Sequence, residues 1–262
     1  MSVSEESSST AAGQPSSASP GGGVQEISES SSEASQAFTR TRHFRSLVWL
    51  LIHAIVYIPC RVWCRTRVIG RENLRADCGG ILLVNHQSYL DPLLVGVRLS
   101  RAVSYLARDS LFRVPCLGWI LRKTFVIPIS RTAFRGGSIR AAMERLDQGY
   151  LVGIFPEGTR SSGPPSRFRA GFLSLVRRSN VPVYPVAIWG ADRVFPKGAW
   201  FVRPGEVRVV YGEPLTDSEM DYLKTGIRVP GGEVQAPDDE DQVAAFVQEK
   251  VLRLFQSADS LD

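Results

Sequence analysis

The sequence predicts an α/β fold, a sheet with helices on its faces. Three observations carry this. Beyond residue 79, short apolar runs of strand length alternate with amphipathic stretches of helix length; Gly and Pro punctuate the runs; and an apolar fraction of 44% over 262 residues supplies a sizeable core.

Taken in order, Gly80 to Val84 reads as a buried strand, because it is a continuous apolar run of strand length. Ala102 to Ala107 is a second strand, and Val114 to Lys123 a short helix. Phe125 to Ile129 is a third strand, interrupted by Pro128, which has no N–H to donate to a ladder. A helix follows from about Ser138 to Asp147, closed by Gly149. Tyr150 to Phe155 is the next strand, broken by Pro156 and Gly158, and Gly171 to Arg178 is helical. Val183 to Trp189 and Glu206 to Tyr211 complete the strands. A terminal helix from about Asp239 to Phe255 carries Val243, Phe246, Val247, Val251 and Leu254 at helical spacing, with acids in its first turn that suit the helix dipole.

Composition divides the chain into four parts. Residues 1–36 are rich in Ser, Gly, Pro and Glu, bury too little to offset the entropy of ordering, and are expected to form a disordered tail. Residues 37–68 hold the apolar run Leu47 to Ile58, preceded by Arg40, Arg42 and Arg45 and followed by Pro59, Arg61, Arg65 and Arg67. Twelve helical residues span about 18 Å, against roughly 30 Å of hydrocarbon, so the run suits lying in one leaflet better than crossing. Trp49 and Tyr57 fit the interface, and the arginines fit an anionic surface. The alternative is a buried core helix. Residues 69–232 form the main domain, and residues 233–262 an acidic linker and the C-terminal helix.

Charge follows the same division. Residues 37–232 hold 29 of the 31 basic and 13 of the 26 acidic residues, a net of +16. Such a segment seeks anions, whether nucleic acid, lipid headgroups or a phosphorylated small substrate. The four cysteines, Cys60, Cys64, Cys78 and Cys116, lack zinc or redox spacing, which fits a reducing location on the cytoplasmic face of a membrane. Cys60 and Cys64 share a helix face and read as structural thiols, with metal binding or lipidation as the alternative. Of three histidines, His43 and His53 lie in or beside the apolar run, so no metal set is expected.

The chemistry gathers at strand ends. Asn85-His86-Gln87-Ser88-Tyr89-Leu90-Asp91-Pro92 directly follows the first buried strand, where α/β sheets open their ligand crevices. Pro92 fits the first position of a helix and Asp91 its N-cap. A loop of this length can also fold the Asp91 carboxylate back onto His86, giving a base whose tautomer is fixed by an acid. Asp91 as a plain helix cap is the alternative, although two carboxylate oxygens permit both roles. A second cluster, Phe155-Pro156-Glu157-Gly158-Thr159-Arg160-Ser161-Ser162 followed by Arg167 and Arg169, lies at another strand end. Gly158 permits a tight turn, Arg160 offers a planar fork for phosphate, and the Thr159 and Ser161 hydroxyls suit the same oxygens. A polar surface turn is the alternative. Arg131 is a third phosphate candidate, or else a solvated strand-end charge.

Together these segments resemble the 1-acylglycerol-3-phosphate acyltransferase (lysophosphatidic acid acyltransferase) family, in four ordered blocks over roughly residues 80–190. The first is Asn85 to Asp91, the second runs from Gly118 to Arg131, the third is Phe155 to Arg160 with Phe168-Arg169-Ala170-Gly171, and the fourth is Val181-Pro182-Val183-Tyr184-Pro185-Val186. The resemblance implies a glycerolipid acyltransferase-like layered domain, with a mixed sheet flanked by helices and an N-terminal membrane-anchoring helix. It implies that His86 and Asp91 are base and orienting acid, that Arg131, Glu157, Gly158 and Arg160 hold the glycerol phosphate, and that the fourth block walls the acyl chain. Two departures stand out. Pro128 and Ser130 occupy positions where the family has an aromatic and an acidic or amide residue, and Arg169 stands where Lys is common.

The expected reaction is acyl transfer from acyl-CoA or acyl carrier protein, as co-substrate, to the sn-2 hydroxyl of 1-acyl-glycerol-3-phosphate, giving phosphatidic acid at a membrane surface, without cofactor, metal or nucleic acid. No Gly-x-Ser-x-Gly occurs, so direct transfer is favoured over an acyl-enzyme. A hydrolase using Ser88 or Cys116, another lysolipid acceptor, and a non-catalytic anionic-lipid or nucleic-acid binder are the rival readings.

Overall fold

A computed structural model of the protein describes residues 55, 57–115, 117–129, 136–227 and 237–260. The tail expected at 1–36, most of the apolar run, Cys116 and Arg131 lie outside the described residues. Among the described residues no helix is long and apolar enough to cross a membrane.

The strands are β1 (Arg67–Ile69), β2 (Gly80–Val84), β3 (Val103–Arg108), β4 (Ile127–Ile129), β5 (Leu151–Ile154), β6 (Val183–Trp189) and β7 (Arg208–Tyr211). They form one sheet in the order β1-β7-β6-β2-β5-β3-β4. Every pairing is parallel except β6 with β7, so the sheet is mixed. Central β2 pairs with both β5 and β6, which places the C-terminal ends of all three on one edge.

The β2 run Gly-Ile-Leu-Leu-Val is buried throughout because both faces are covered. Alternation assigns its side chains: Ile81 and Leu83 enter one core, Leu82 and Val84 the other. The first core is closed by helix α3 (Gly136–Asp147) and helix α7 (Glu240–Asp259) with Val243, Val247 and Val251. The second is closed by helix α1 (Asp91–Gly96) and by Cys60 and Cys64. Helix α2 (Leu117–Lys123), helix α4 (Leu173–Val176), helix α5 (Ala191–Val194) and helix α6 (Asp217–Thr225) lie between these, and residues 57–62 form helical turns before β1.

Four expectations change. Helix α7, set apart from the main domain in the sequence division, packs into the first core of the sheet. Strand β1 sits on the sheet, so the boundary at residues 68 and 69 falls inside a strand. Strand β4 begins at Ile127 because Phe125 takes a left-handed backbone, φ 63°, that ladders do not accommodate. Asp91 is the first residue of α1 and Leu90 its N-cap, with Pro92 one position later than the sequence suggested.

Candidate active site

The crevice is built where β2 and β5 run out side by side. Leu83 pairs with Ile154, so the loop beginning at Asn85 and the loop beginning at Phe155 leave the sheet as neighbours. Asn85 is fully buried and ties the first loop to β6, its amide donating to the Ile188 carbonyl at 2.9 Å and accepting from Ile188 N–H at 2.7 Å.

His86 Nδ1 lies 2.7 Å from Asp91 Oδ2. The same oxygen accepts the backbone N–H of Gln87 at 2.6 Å and of Ser88 at 2.8 Å. Asp91 therefore caps the loop that precedes it, not the helix it begins. A carboxylate can only accept, so the network assigns the Nδ1 proton to the ring and leaves Nε2 as the nitrogen able to take a proton. Asp91 is completely buried whereas the His86 side chain keeps 19% exposure, the arrangement of a held acid behind a reachable base. Burial pushes the Asp91 carboxyl up, and the bonds from His86, Ser88 and Gln87 pull against that rise. On its other side the His86 ring stacks on Phe155, with centroids 4.4 Å apart.

The second loop is fastened to the first through backbone. Glu157 Oε1 accepts the His86 N–H at 2.8 Å, and the His86 carbonyl accepts Ser161 N–H at 2.9 Å. Glu157 Oε2 accepts the hydroxyls of Ser161, at 2.5 Å, and of Ser166. Glu157 was expected beside the phosphate; its carboxylate is instead buried and filled by these three donors, and its negative charge would repel a phosphate. The Ser161 hydroxyl, expected on the phosphate, is spent here as well. Gly158 turns the chain at φ 68°, where a side chain is strained, and is exposed with Thr159. The exposed Arg169 lies against Gly158.

Arg160 carries the free guanidinium of this loop. Its plane centre sits 3.5 Å from the centroid of the Tyr89 ring, and its Nη1 is buried with no hydrogen-bond partner. Stacking holds the fork while leaving its donors for a planar or tetrahedral anion. The structure thus joins His86, Asp91, Glu157, Gly158 and Arg160, with Thr159 and Arg169 alongside. Sequence reasoning missed Tyr89, Phe155, Gln87 and Ser166 as supports. Tyr89 and Gln87 stand inside the first block, and Phe155 opens the third, but nothing marked Ser166. The rival nucleophile Ser88 is buried and donates its hydroxyl to the Phe195 carbonyl at 3.0 Å. Among the described residues no three His, Cys, Asp or Glu side chains cluster as a metal site.

Residues 65–189 match the family model described as Acyltransferase. That stretch is similar to acyltransferase domains. The stretch runs from just before β1 to the end of β6 and contains both loops of the crevice. The chain is 29% identical over 186 residues to a chloroplastic 1-acyl-sn-glycerol-3-phosphate acyltransferase of Brassica napus, covering 69% of this chain and 52% of that one. It is 29% identical over 164 residues to the Bacillus subtilis 1-acyl-sn-glycerol-3-phosphate acyltransferase, covering 62% and 80%. The chain thus spans about half the length of the plant relatives it matches. The crystal structure of the 1-acyl-sn-glycerophosphate acyltransferase PlsC from Thermotoga maritima superposes with a TM-score of 0.62 at 26% identity, covering 86% of this chain and 87% of that one. The chain therefore shares its α/β architecture with a solved acyltransferase.

Proposed function

We propose that the protein transfers a fatty acyl group from an acyl thioester, carried by CoA or acyl carrier protein, to the sn-2 hydroxyl of 1-acyl-glycerol-3-phosphate, giving phosphatidic acid for phospholipid synthesis. The observation that carries the reading is the 2.7 Å His86–Asp91 contact in a loop bonded directly to the one bearing Arg160. His86 Nε2 takes the acceptor hydroxyl proton, the oxygen attacks the thioester carbonyl, and the C–S bond breaks. The imidazolium returns its proton to the departing thiolate, so no acyl-enzyme forms and no cofactor is required. Asp91 holds the ring and stabilises the imidazolium, a contribution on the order of 10² to 10⁴ in rate for the pair. Arg160, with Arg169 and Arg131, is assigned to the acceptor phosphate, and the backbone and hydroxyl of Gly158 and Thr159 to the turn that receives it. A membrane-lipid acceptor calls for a protein that works at a membrane surface, and cysteines without disulfide or zinc spacing favour the cytoplasmic side. Support comes from the arginines flanking the 47–58 run and from the net charge of residues 37–232.

The test is transfer of labelled acyl groups to lysophosphatidic acid by purified protein. His86→Ala should lose about 10² to 10⁴ in kcat. Full activity in that variant ends the proposal.

A further inference from the structure

The acyltransferase reading leaves unexplained a loop whose tip is more apolar than an exposed tip needs to be. Trp200 is 97% exposed and Phe201 70%, at the end of the segment that follows α5. The segment is built to hold them out. Arg203 N–H donates to the Val194 carbonyl at 2.8 Å and closes the neck, while Ala199 N–H donates to the Pro196 carbonyl at 3.1 Å around Gly198, which sits at φ 88°. Compact loops with closed necks keep their shape while presenting a tip. Two large aromatics on such a tip cost solubility and gain nothing in the core.

The tip is continuous with a second exposed apolar group. Trp63 Nε1 donates to the Val202 carbonyl at 3.0 Å, and Gly205 N–H donates to the Trp63 carbonyl at 3.1 Å. Trp63 is 51% exposed and Val62 68%, at the end of the helical turns of residues 57–62. The charge around this surface is mostly positive, with Asp192 and Glu206 at its border and Glu206 paired to Arg67 and Arg208. Residues 57–65 and 193–205 contain Arg61, Arg65, Arg193, Lys197 and Arg203, all exposed, and no Asp or Glu. Aromatic rings within a ring of cations match the headgroup region of an anionic bilayer, where Trp is favoured and each nearby cation adds attraction.

The root of the loop is tied to the crevice. Ala191 N–H donates to Gln87 Oε1 at 3.1 Å, and Ser88 Oγ donates to the Phe195 carbonyl at 3.0 Å. Both partners flank His86 in the catalytic loop. We infer that the 195–203 loop is a second membrane-docking element, separate from the 47–58 run, inserting Trp200 and Phe201 into the interface of an anionic leaflet and so setting the His86 crevice at its surface. This rests on the proposed use of a membrane-resident acceptor.

The test uses the full chain with vesicles of phosphatidylcholine and phosphatidylglycerol, some with brominated acyl chains that quench tryptophan. Trp200→Phe should lose a distinct part of the bromine quenching, because Phe keeps the loop docked but removes the reporter. The double variant Trp200→Ser with Phe201→Ser should bind the vesicles about tenfold more weakly for each ring removed, whatever the other segment contributes, since the free energies add. Because both residues are exposed, its melting temperature and its transfer to a water-dispersed short-chain lysophosphatidic acid should match the parent. Unchanged quenching together with unchanged binding overturns the inference. Failure of both proteins on the short-chain acceptor overturns the acyltransferase reading instead, and leaves the quenching result to decide the docking by itself.

Discussion

Asp91→Asn separates what Asp91 does for the fold from what it does for the reaction. One oxygen, Oδ2, accepts all three bonds, from His86 Nδ1, Gln87 N–H and Ser88 N–H. An asparagine carbonyl oxygen in that place can accept the same three, so the loop keeps its shape. What disappears is the charge. A hydrogen bond to an ionised group contributes about 1.5–3 kcal/mol and a neutral one about 0.5–1.5 kcal/mol, a difference of about 1 kcal/mol per bond, which puts the stability loss at roughly 3–4 kcal/mol for the three. The loss is offset in part at neutral pH. Burial holds the Asp91 carboxyl above its unfolded value, so its ionised form costs stability that asparagine does not. The sign follows directly: this contribution favours the fold below the unfolded aspartate pKa of about 3.9 and is lost as pH rises through the folded value. The melting temperature of the variant relative to the parent should therefore improve as pH is raised from acid to neutral.

The rate behaves differently. An imidazolium forming at His86 needs a negative partner, and a neutral amide supplies little, so kcat should fall by about 10² to 10⁴ with little change in the acceptor KM. Asp91→Ala gives the contrast. Removing the acceptor leaves two buried backbone N–H groups unpaired at about 1–3 kcal/mol each, so stability and rate fall together. Steady-state transfer of labelled acyl groups, with thermal melts of each variant, measures both quantities. An Asp91→Asn protein that melts like the parent and turns over at the parental rate would refute the orienting role and leave Asp91 as a brace for the loop.

Three further outcomes follow from the same geometry. Arg160→Lys keeps the charge but loses both the fork and the stack on Tyr89, so the acceptor KM should rise about tenfold or more while kcat for saturating acceptor changes less; an unchanged KM removes Arg160 from the phosphate. Glu157→Gln weakens the bonds to His86 N–H, Ser161 and Ser166 and should lower stability by about 1–3 kcal/mol while leaving the acceptor KM near the parent value; a selective rise in KM with normal stability would restore Glu157 to the ligand set. Glu206 is held below the usual glutamate range first by its hydrogen bond to the buried Arg208, so it stabilises the fold above its unfolded pKa of about 4.3, and that stabilisation disappears as pH falls through the folded value; the stability gap between Glu206→Gln and the parent should be present at neutral pH and close in acid, its size tempered by solvent because Glu206 is partly exposed.

The parts of this protein that were legible in its chain are those in which one local pattern decides the outcome. Strand β2 could be read because both of its faces are covered and five consecutive apolar residues admit no other use at that length. His86 and Asp91 could be read because both lie in one short loop at the end of that strand, and chain geometry alone allows them to meet. Strand β1 could not, since Arg67 to Ile69 is three residues at the sheet edge, set among arginines that look like the flank of the apolar run. Helix α6 was missed for a related reason, because it buries only Tyr222 and Leu223 of its nine residues and shows little periodicity. Glu157 was misplaced because its partners are fixed by sheet pairing: only the register of β2 with β5 brings its carboxylate to the His86 backbone, and no spacing within residues 155–162 encodes that register. The same holds for Tyr89 and Arg160, 71 positions apart in the numbering and in contact because two neighbouring strands end together. The candidate site is assembled across the β2–β5 boundary, so the loop sequences supply its side chains and the strand register brings them together.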